Sequence, residues 1–281
     1  METKVTSATK EVVIGDERRT VLIGERINPT GKKKLAEALQ AGNLEIVRQE
    51  AIAQVQAGAD ILDVNVGASG VDEVTVLPQV VKIVMDIVEV PLCIDSADPV
   101  ALEAALKVYK GKALINSVTG EEHSLSNVLP LVKKYGAAVI GLVQGEEGVP
   151  SNSEGRVANA RKIVERAASL GIPGEDIIID CLALTVAADT AAGLVTLETI
   201  RKLKSELGVN MTLGASNFSF GLPDRQLASN TFLALAIAAG VTCPIVDAAK
   251  ACPVVLATDL ALGRDNFAMR YIKAYRKRQT L

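Results

Sequence analysis

The chain has 281 residues, a formal net charge of −3, 49% hydrophobic residues and only 3% aromatic residues. It lacks a basic stripe and has few aromatic side chains on which bases could stack, so a nucleic-acid partner is not expected. Its first 19 residues are charged and lack the apolar stretch of a signal peptide, and no apolar run is long enough to span a membrane. We therefore expect a cytoplasmic protein without membrane contact.

The cysteines and the single histidine do not form the pattern of a metal site. Four cysteines stand at positions 93, 181, 243 and 252, no two of them in a CxxC pair, and His123 is the only histidine. A zinc site needs several soft ligands close together. The pattern instead predicts buried, reduced thiols and no protein-bound metal.

Short apolar runs alternate with amphipathic stretches about eight times along the chain. Among the amphipathic stretches, Asn43–Ala57, Glu154–Leu170 and Arg225–Ala238 carry helical periodicity. Strands that alternate with helices form a parallel sheet, and eight such units in about 250 residues favour a (β/α)8 TIM barrel over an open doubly wound sheet. We predict a single domain over residues 1–281 with its core at about 20–265. The predicted strands are Val21–Glu25, Ile61–Val66, Pro91–Asp95, Ala113–Ser117, Ala138–Val143, Ile177–Cys181, Met211–Ala215 and Cys243–Asp247.

Polar residues stand at the carboxyl end of every predicted strand. In a TIM barrel these ends meet at one rim, where catalytic groups collect. Some of these residues could simply cap helices, but Asp63 and Asp180 lie within aliphatic runs, where a carboxylate without partners is costly. The rim offers acids and amides, without a serine–histidine pair or a phosphate-binding loop. Such a set suits a neutral heterocycle with adjacent N–H donors, and the 2-amino-4-oxo edge of a pterin has that pattern.

An ordered set of short motifs resembles a known family. It spans roughly residues 20 to 260 and is similar to the methyltetrahydrofolate:corrinoid protein methyltransferases of the pterin-binding barrel superfamily. Each motif alone is weak, whereas the ordered set is specific. The motifs are Gly24-Glu25-Arg26-Ile27-Asn28-Pro29, Asp63-Val64-Asn65-Val66-Gly67, Ile94-Asp95-Ser96, Ile115-Asn116-Ser117, Glu147-Gly148-Val149-Pro150 with Arg156, and the segment from Gly214 to Pro223.

The resemblance implies roles for four residues. It implies that Asp180 pairs with the ring N–H and exocyclic amine of the pterin, and that Asp95 and Asn116 bind the far side of the ring. Asn217 resembles the mobile amide that contacts nitrogen 5, which bears the methyl group. An amide cannot give up a proton, so we expect the proton for nitrogen 5 to come from solvent or through a water relay that Asp95 steers. Asn217 and Asp95 are accordingly the predicted catalytic residues.

Further positions match the family with less definite roles. Ser216 is expected to shape the loop around the catalytic amide. Glu25, Asp63 and Asn65 are expected either to touch the ligand or to support the residues that do. Asp247 ends the last predicted strand but lacks the neighbouring proline that many relatives have, so the resemblance assigns it no role.

The resemblance also implies the substrates and partners. Methyltetrahydrofolate or tetrahydrofolate would be a substrate, and the corrinoid (cobalamin) would arrive on a separate corrinoid protein, because the chain has no room for a cobalamin module. Longer loops after the fifth, sixth and seventh strands are expected to receive that partner around an open mouth, and a homodimer is expected. Alternatives are a different barrel enzyme, such as dihydropteroate synthase or an aldolase-like lyase, and a non-catalytic folate-binding subunit. The loop at residues 67–72 lacks the Ser-Thr-Arg-Pro cluster typical of dihydropteroate synthase.

Overall fold

The structure is a computed structural model that describes residues 1–279. Within that range the chain forms ten strands and ten α-helices. The strands are β1 (Glu2–Thr6), β2 (Glu11–Gly15), β3 (Ile23–Ile27), β4 (Ile61–Asn65), β5 (Leu92–Asp95), β6 (Leu114–Thr119), β7 (Ala138–Leu142), β8 (Ile177–Asp180), β9 (Asn210–Thr212) and β10 (Ile245–Val246). The helices are α1 (Lys33–Gln40), α2 (Glu45–Ala57), α3 (Glu73–Ile87), α4 (Pro99–Val108), α5 (Glu122–Tyr135), α6 (Ser153–Ser169), α7 (Ala192–Glu206), α8 (Arg225–Ala239), α9 (Ala248–Ala261) and α10 (Met269–Gln279).

Strands β3 to β10 form one parallel eight-stranded sheet in the order β10-β3-β4-β5-β6-β7-β8-β9. Between β9 and β10 the sheet closes through a parallel bridge from Gly214 to Ile245, where the Ile245 N–H donates to the Leu213 carbonyl at 3.0 Å. Helices follow the strands and cover the sheet, as βαβ connections require. The predicted single-domain (β/α)8 barrel is therefore confirmed.

The inside of the barrel is arranged in layers. Because side chains alternate between the two faces of a strand, residues two apart point the same way. Five inward-facing residues belong to one buried apolar cluster: Ile23, Ile61, Cys93, Leu114 and Ile178. Two residues further along the same strands stand Glu25, Asp63, Asp95, Asn116 and Asp180. The period of the strand thus places a ring of acids and one amide directly above an apolar floor, at the carboxyl end of the barrel.

An antiparallel hairpin of β1 and β2 closes the opposite end of the barrel. Its side chains Val5, Val12 and Ile14 are buried in the same apolar cluster as the strand residues of the floor. The Thr6 N–H donates to the Lys112 carbonyl at 2.9 Å, which fixes the hairpin to the loop before β6. The sequence interpretation did not include this hairpin.

The predicted boundaries of the last two barrel strands were too long. Strand β9 ends at Thr212 because Ala215–Ser219 folds into a 3₁₀ turn. Strand β10 covers only Ile245–Val246, and Asp247 caps α9 by accepting the Ala249 N–H at 3.2 Å. The outer core between strands and helices is aliphatic, with Val, Leu, Ile and Ala as its main components. Every helix within residues 1–279 is too short or too polar to cross a membrane.

Candidate active site

A cavity of about 860 Å³ opens at the carboxyl end of the barrel. Seven of the eight predicted site residues line it: Glu25, Asp63, Asp95, Asn116, Asp180, Ser216 and Asn217. These residues are separated by as many as 192 positions in the sequence and come together because the barrel strands are parallel. Asn65 is the exception. Its side-chain oxygen accepts the Gly67 N–H at 2.7 Å and shapes the turn after β4.

Asp180 is a buried acid of the cavity floor, at the end of β8. Its carboxylate accepts the Leu182 N–H at 2.7 Å, and its residue is 7% exposed. Burial raises the pKa of Asp180 from its usual 3.8 to about 7, although the Leu182 N–H and the charge of Arg156 act in the opposite direction. Near neutral pH this carboxyl group is therefore poised to bind a ligand that offers N–H donors, because such donors stabilise its ionised form.

Arg156 supports the segment that follows Asp180. Its guanidinium is 1% exposed and donates to the Cys181 and Leu182 carbonyls at 3.0 and 2.9 Å and to the Pro150 carbonyl at 3.0 Å. Desolvation lowers the pKa of Arg156 from its ordinary value, but the group is charged at any physiological pH. This arginine ties the loop after β7 to the loop after β8, and so fixes the backbone around Asp180.

A second group joins the ends of β4 and β6. The Asn116 side-chain nitrogen donates to the Asp63 carboxylate at 3.1 Å, and Asp63 is only 2% exposed. Burial raises the pKa of Asp63, whereas the hydrogen bonds from Asn116 and Cys93 lower it. Because Asp63 takes one N–H of the amide, it orients Asn116 so that its oxygen and remaining N–H are available to a ligand.

Asp95 stands between these groups at the end of β5. Burial raises the pKa of Asp95 well above its usual range, and the nearby charge of Asp63 raises it further, while a hydrogen bond from Asn65 lowers it. Two acids in one dry region cannot both ionise easily. Asp95 can therefore carry a proton under conditions in which an exposed aspartate would be ionised.

The 3₁₀ turn after β9 carries Ser216 and Asn217 to the edge of the cavity. Asn217 is exposed, and within residues 1–279 its side-chain amide makes no hydrogen bond. The neighbouring Ser216 carbonyl accepts from the Arg225 guanidinium at 3.0 Å, which holds the turn to the start of α8. The amide of Asn217 is thus free to serve a ligand, on a turn that is fixed at its base.

Four cationic residues line the cavity, and sequence reasoning predicted none of them as site residues: Arg26, Lys32, Arg225 and Lys250. Lys32 donates from its ammonium to the carbonyls of Glu25, Arg26 and Asn28 at 3.1, 3.3 and 3.1 Å, and desolvation lowers its pKa. Arg26 pairs with Glu50 at 3.0 Å. Burial raises the pKa of Glu25, and the charge of Lys32 lowers it. The position of Lys32 in the loop after β3 could have indicated a residue near the rim. Three successive lysines begin at position 32, however, and their pattern does not show which one turns inward.

The mouth of the cavity reaches solvent on the side of α8 and α9, where the lining residues Phe220, Arg225 and Lys250 are exposed. Of the three longer loops predicted to surround the mouth, only that after β9 lines the cavity. The loop after β8 packs against it, since the Thr185 hydroxyl donates to the Phe220 carbonyl at 2.6 Å. Within the described residues, no group of three or more His, Cys, Asp or Glu side chains is arranged to hold a metal ion.

Comparisons with known proteins agree with this geometry. A family model described as "Pterin binding enzyme" matches residues 24–247. The chain is 32% identical to a methylcorrinoid:tetrahydrofolate methyltransferase of Eubacterium limosum over 267 residues, which covers 92% of this chain and 96% of that protein. It is 31% identical to a methionine synthase of Mycobacterium tuberculosis over 265 residues, which covers 90% of this chain but only 22% of that protein.

Solved structures show the same fold at low identity. A Yersinia pestis dihydropteroate synthase with a pterin–sulfa conjugate superposes with a TM-score of 0.72 at 17% identity and covers 93% of this chain and 99% of that chain. A dihydropteroate synthase from Xanthomonas albilineans in complex with 7,8-dihydropteroate gives a TM-score of 0.67 at 19% identity, with 92% and 98% covered. The family match extends from the first barrel strand to the end of the last one and includes every acid and amide of the cavity floor. The chain therefore belongs to the family of pterin-binding enzymes.

Proposed function

We propose that this protein transfers a methyl group between nitrogen 5 of tetrahydrofolate and the cobalt of a corrinoid that is carried by a separate protein. The nearly full-length similarity to a methylcorrinoid:tetrahydrofolate methyltransferase supports this reaction over others of the family. The observation that carries the proposal is the convergence of Asp95, Asn116 and Asp180 on the floor of one cavity with Asn217 at its edge.

The floor is suited to the flat head of a reduced folate. The ionised Asp180 carboxylate accepts hydrogen bonds from the ring N–H and the exocyclic amine of the pterin, and this pair of charge-assisted bonds fixes the orientation of the ring. Asp95 and Asn116 bind its other side. Asp63 and Asn65 act on these two residues rather than on the ligand, because they hydrogen-bond Asn116 and Asp95 respectively.

Two further residues have supporting places in this proposal. Glu25 lines the cavity beside the Lys32 ammonium and faces the same space as the acids of β4 and β5. We assign it to the wall of the pterin site. Ser216 holds the turn that carries Asn217, through its carbonyl bond to Arg225.

We assign Asn217, whose side chain lines the cavity at its edge, to the reacting nitrogen. When the methyl group leaves nitrogen 5, the carbon–nitrogen bond breaks as the carbon–cobalt bond forms, and the nitrogen must gain a proton. A hydrogen bond from the Asn217 amide stabilises nitrogen 5 as its charge changes during the transfer. An amide does not release its own proton, however. Asp95, whose pKa is raised, supplies or steers that proton through water. In the opposite direction the same groups receive it.

The corrinoid protein approaches from the open mouth. The loops after β7, β8 and β9 stand on that side of the barrel, and a bulky cofactor on another protein needs such access to the methyl group. We also propose that the protein is cytoplasmic and, as the family resemblance implies, that it forms a homodimer. Sedimentation equilibrium of the purified chain measures its oligomeric state.

Two measurements test the function. Calorimetric titration with methyltetrahydrofolate should give saturable binding, and the absorbance change from Co(I) to methyl-Co(III) should follow when a reduced corrinoid protein is added. A protein that binds reduced folate but leaves cobalt unmethylated would be a folate-binding subunit. Formation of dihydropteroate from a pterin pyrophosphate and 4-aminobenzoate would instead make it a synthase, and either result would refute the proposed transfer.

A further inference from the structure

Leu182, two residues after Asp180, has an unusual backbone conformation. Its φ is +50°, in the left-handed region, and its N–H donates to Asp180 Oδ1 at 2.7 Å. A residue with a side chain populates this region roughly 5- to 30-fold less than glycine does, because its Cβ approaches the following carbonyl oxygen. Leucine therefore keeps this conformation only because the surrounding structure holds it there.

The peptide bond between Cys181 and Leu182 lies between Asp180 and Arg156. This peptide bond is trans, so its C=O and N–H groups point in opposite directions. The Leu182 N–H faces the Asp180 carboxylate, and the Cys181 carbonyl accepts from Arg156 Nη1 at 3.0 Å. The next carbonyl, that of Leu182, accepts from the same nitrogen at 2.9 Å. Arg156 therefore fixes the peptide groups on both sides of Leu182, and with them the direction of the N–H that reaches Asp180.

Arg156 is itself held by its surroundings on α6 and α7. Its Nε donates to the Pro150 carbonyl at 3.0 Å, and its Nη1 donates to the Thr196 hydroxyl at 3.2 Å. The Thr196 hydroxyl in turn lies 3.3 Å from the Leu182 carbonyl. Within residues 1–279, all the hydrogen bonds that Arg156 donates go to uncharged oxygens, although a buried charge is usually paired. Its positive charge acts instead on Asp180, across the peptide bond that it holds.

The Leu182 N–H determines which part of the Asp180 carboxylate meets a ligand. A carboxylate has about four lone-pair sites, and this N–H occupies one of them, on Oδ1. One site on Oδ1 and those on Oδ2 stay available, so two adjacent N–H groups of a pterin can be accepted side by side. Without the Leu182 N–H the carboxylate could rotate. Its pKa, which burial raises to about 7, would rise further, because this N–H lowers it.

Charged and titratable groups face Asp180 from several elements. They are Arg156 on α6, Cys181 after β8, Cys243 before β10, and Asp63 and Asp95 across the cavity on β4 and β5. The arginine stays charged, and burial raises the pKa of both thiols, so these three groups keep one charge state between pH 6 and 9. The two acids keep their own surroundings when only Arg156 or Leu182 is replaced. A difference between such variants in the pH profile of binding therefore reports on Asp180.

We propose that Arg156 is a positioning residue of the pterin site, which holds the peptide bond before Leu182 so that Asp180 meets the ligand in one fixed orientation. The inference rests on the function proposed above and adds a residue that acts through the backbone. Arg156 is 1% exposed and is not among the residues that line the cavity. Its replacement should therefore change the pH range in which folate binds, and not only the stability of the fold.

The variant Arg156→Lys separates this positioning from the effect of charge. Lysine keeps the positive charge but lacks the planar fork that reaches both carbonyls. In calorimetric titrations with methyltetrahydrofolate from pH 6 to 9, we expect the variant to bind roughly 5- to 30-fold more weakly than the wild type at pH 7. The pH below which affinity falls should be higher by about 1 unit, so the difference should narrow towards pH 9. Arg161→Lys is the matched control, because Arg161 lies on the same helix, pairs with Glu206 at 2.8 Å and should bind like the wild type.

Leu182 offers a rescue of the same variant. Leu182→Gly and Leu182→Ala both remove the leucine side chain beyond Cβ, but only glycine adopts a φ of +50° without strain. In the Arg156→Lys protein, Leu182→Gly should restore affinity by at least about 3-fold and move the pH profile back towards the wild type, whereas Leu182→Ala should not. A lower urea midpoint without any shift of the pH profile, or equal effects of glycine and alanine, would show that Arg156 is only structural.

A variant with Arg156 intact tests the inference if Arg156→Lys does not fold. A β-branched residue resists a positive φ even more than leucine does, so Leu182→Val should shift the pH profile upwards, whereas Leu182→Gly should leave it unchanged. Identical profiles for valine and glycine would refute the positioning role while reduced folate still binds. Failure of the wild type to bind methyltetrahydrofolate at every pH would refute the proposed function itself.

Discussion

Replacing Asp180 by asparagine should make the protein more stable at neutral and alkaline pH while it impairs ligand binding. Burial raises the pKa of Asp180 from 3.8 to about 7 in the folded protein, whereas the unfolded chain ionises near its usual value. Between these two values the folded state binds a proton that the unfolded state has lost. The free energy of unfolding therefore falls as the pH rises from about 4 to about 7, and the loss is complete above the higher value.

The size of the effect follows from the shift. A difference of about 3 pKa units corresponds to about 4 kcal/mol at most, at 1.36 kcal/mol per unit. Asparagine cannot ionise, and its side-chain oxygen can still accept the Leu182 N–H that Asp180 now accepts at 2.7 Å. We expect Asp180→Asn to raise the free energy of unfolding by roughly 2–4 kcal/mol at pH 8 and by little at pH 4.

Urea unfolding of the wild type and the variant at pH 4, 6 and 8 measures this difference. Asp86→Asn is a suitable control, since Asp86 is exposed on α3, and its effect should stay within about 0.5 kcal/mol at each pH. Equal stabilities of Asp180→Asn and wild type at pH 8, or a gain that is largest at pH 4, would show that the carboxylate is not held in a dry environment.

The same variant should lose affinity for reduced folates. The ionised carboxylate accepts two N–H groups, and asparagine offers one oxygen and an N–H₂ that faces the ligand's own donors, so we expect a loss of roughly 10- to 100-fold. In the wild type the affinity should fall as the pH drops below about 7, because Asp180 must then release a proton to bind. A variant that is more stable but binds less well is the expected signature of a binding group kept at a cost in stability.

Three further changes have definite expected outcomes. Asn217→Ala should lower the rate of methyl transfer roughly 10²-fold, measured from the methyl-Co(III) absorbance, and change folate affinity much less; equal losses in both would make it a simple binding residue. Arg156→Leu should destabilise the protein by roughly 3–5 kcal/mol in urea unfolding, because it removes the hydrogen bonds that the guanidinium donates to the Pro150, Cys181 and Leu182 carbonyls, and an unchanged midpoint would refute its bridging role. Gly111→Ala places a methyl group 2.2 Å from the Thr6 carbonyl oxygen at a φ of +129° and should cost roughly 3 kcal/mol or more, whereas Gly136→Ala, at a φ of +59° in open space, should cost only about 1 kcal/mol.

The positions of the floor residues could be predicted because two simple periodicities act together. Parallel strands bring their carboxyl ends to one rim, and alternation along a strand gives Asp63 and Asp180 the same direction as the apolar residues two positions earlier. An aspartate within an aliphatic run therefore indicated a residue of the cavity floor. Asn65 lies two residues after Asp63 and so belongs to the same face of β4. It stands at the end of the strand, however, where its side-chain oxygen accepts the Gly67 N–H of the following turn.

Other features depend on tertiary contacts that no local pattern contains. Lys32 enters the cavity because backbone carbonyls of its own loop surround its ammonium, and neither Lys33 nor Lys34 differs from it in sequence. The segment Glu2–Thr6 has the alternation of a half-buried strand, yet its partner Glu11–Gly15 and the open end of the barrel are needed to explain which face is buried.

The layered interior explains why binding of the pterin head should respond to pH more than to ionic strength. The acids of the cavity floor stand directly above the apolar layer and are largely buried, so the protonation of Asp180 and Asp95 depends strongly on burial. Arg225 and Lys250 stand in solvent, where charges interact weakly and salt screens them. Binding of the pterin head, which depends on the buried acids and not on these exposed cations, should therefore vary with pH between 6 and 8 and little with ionic strength.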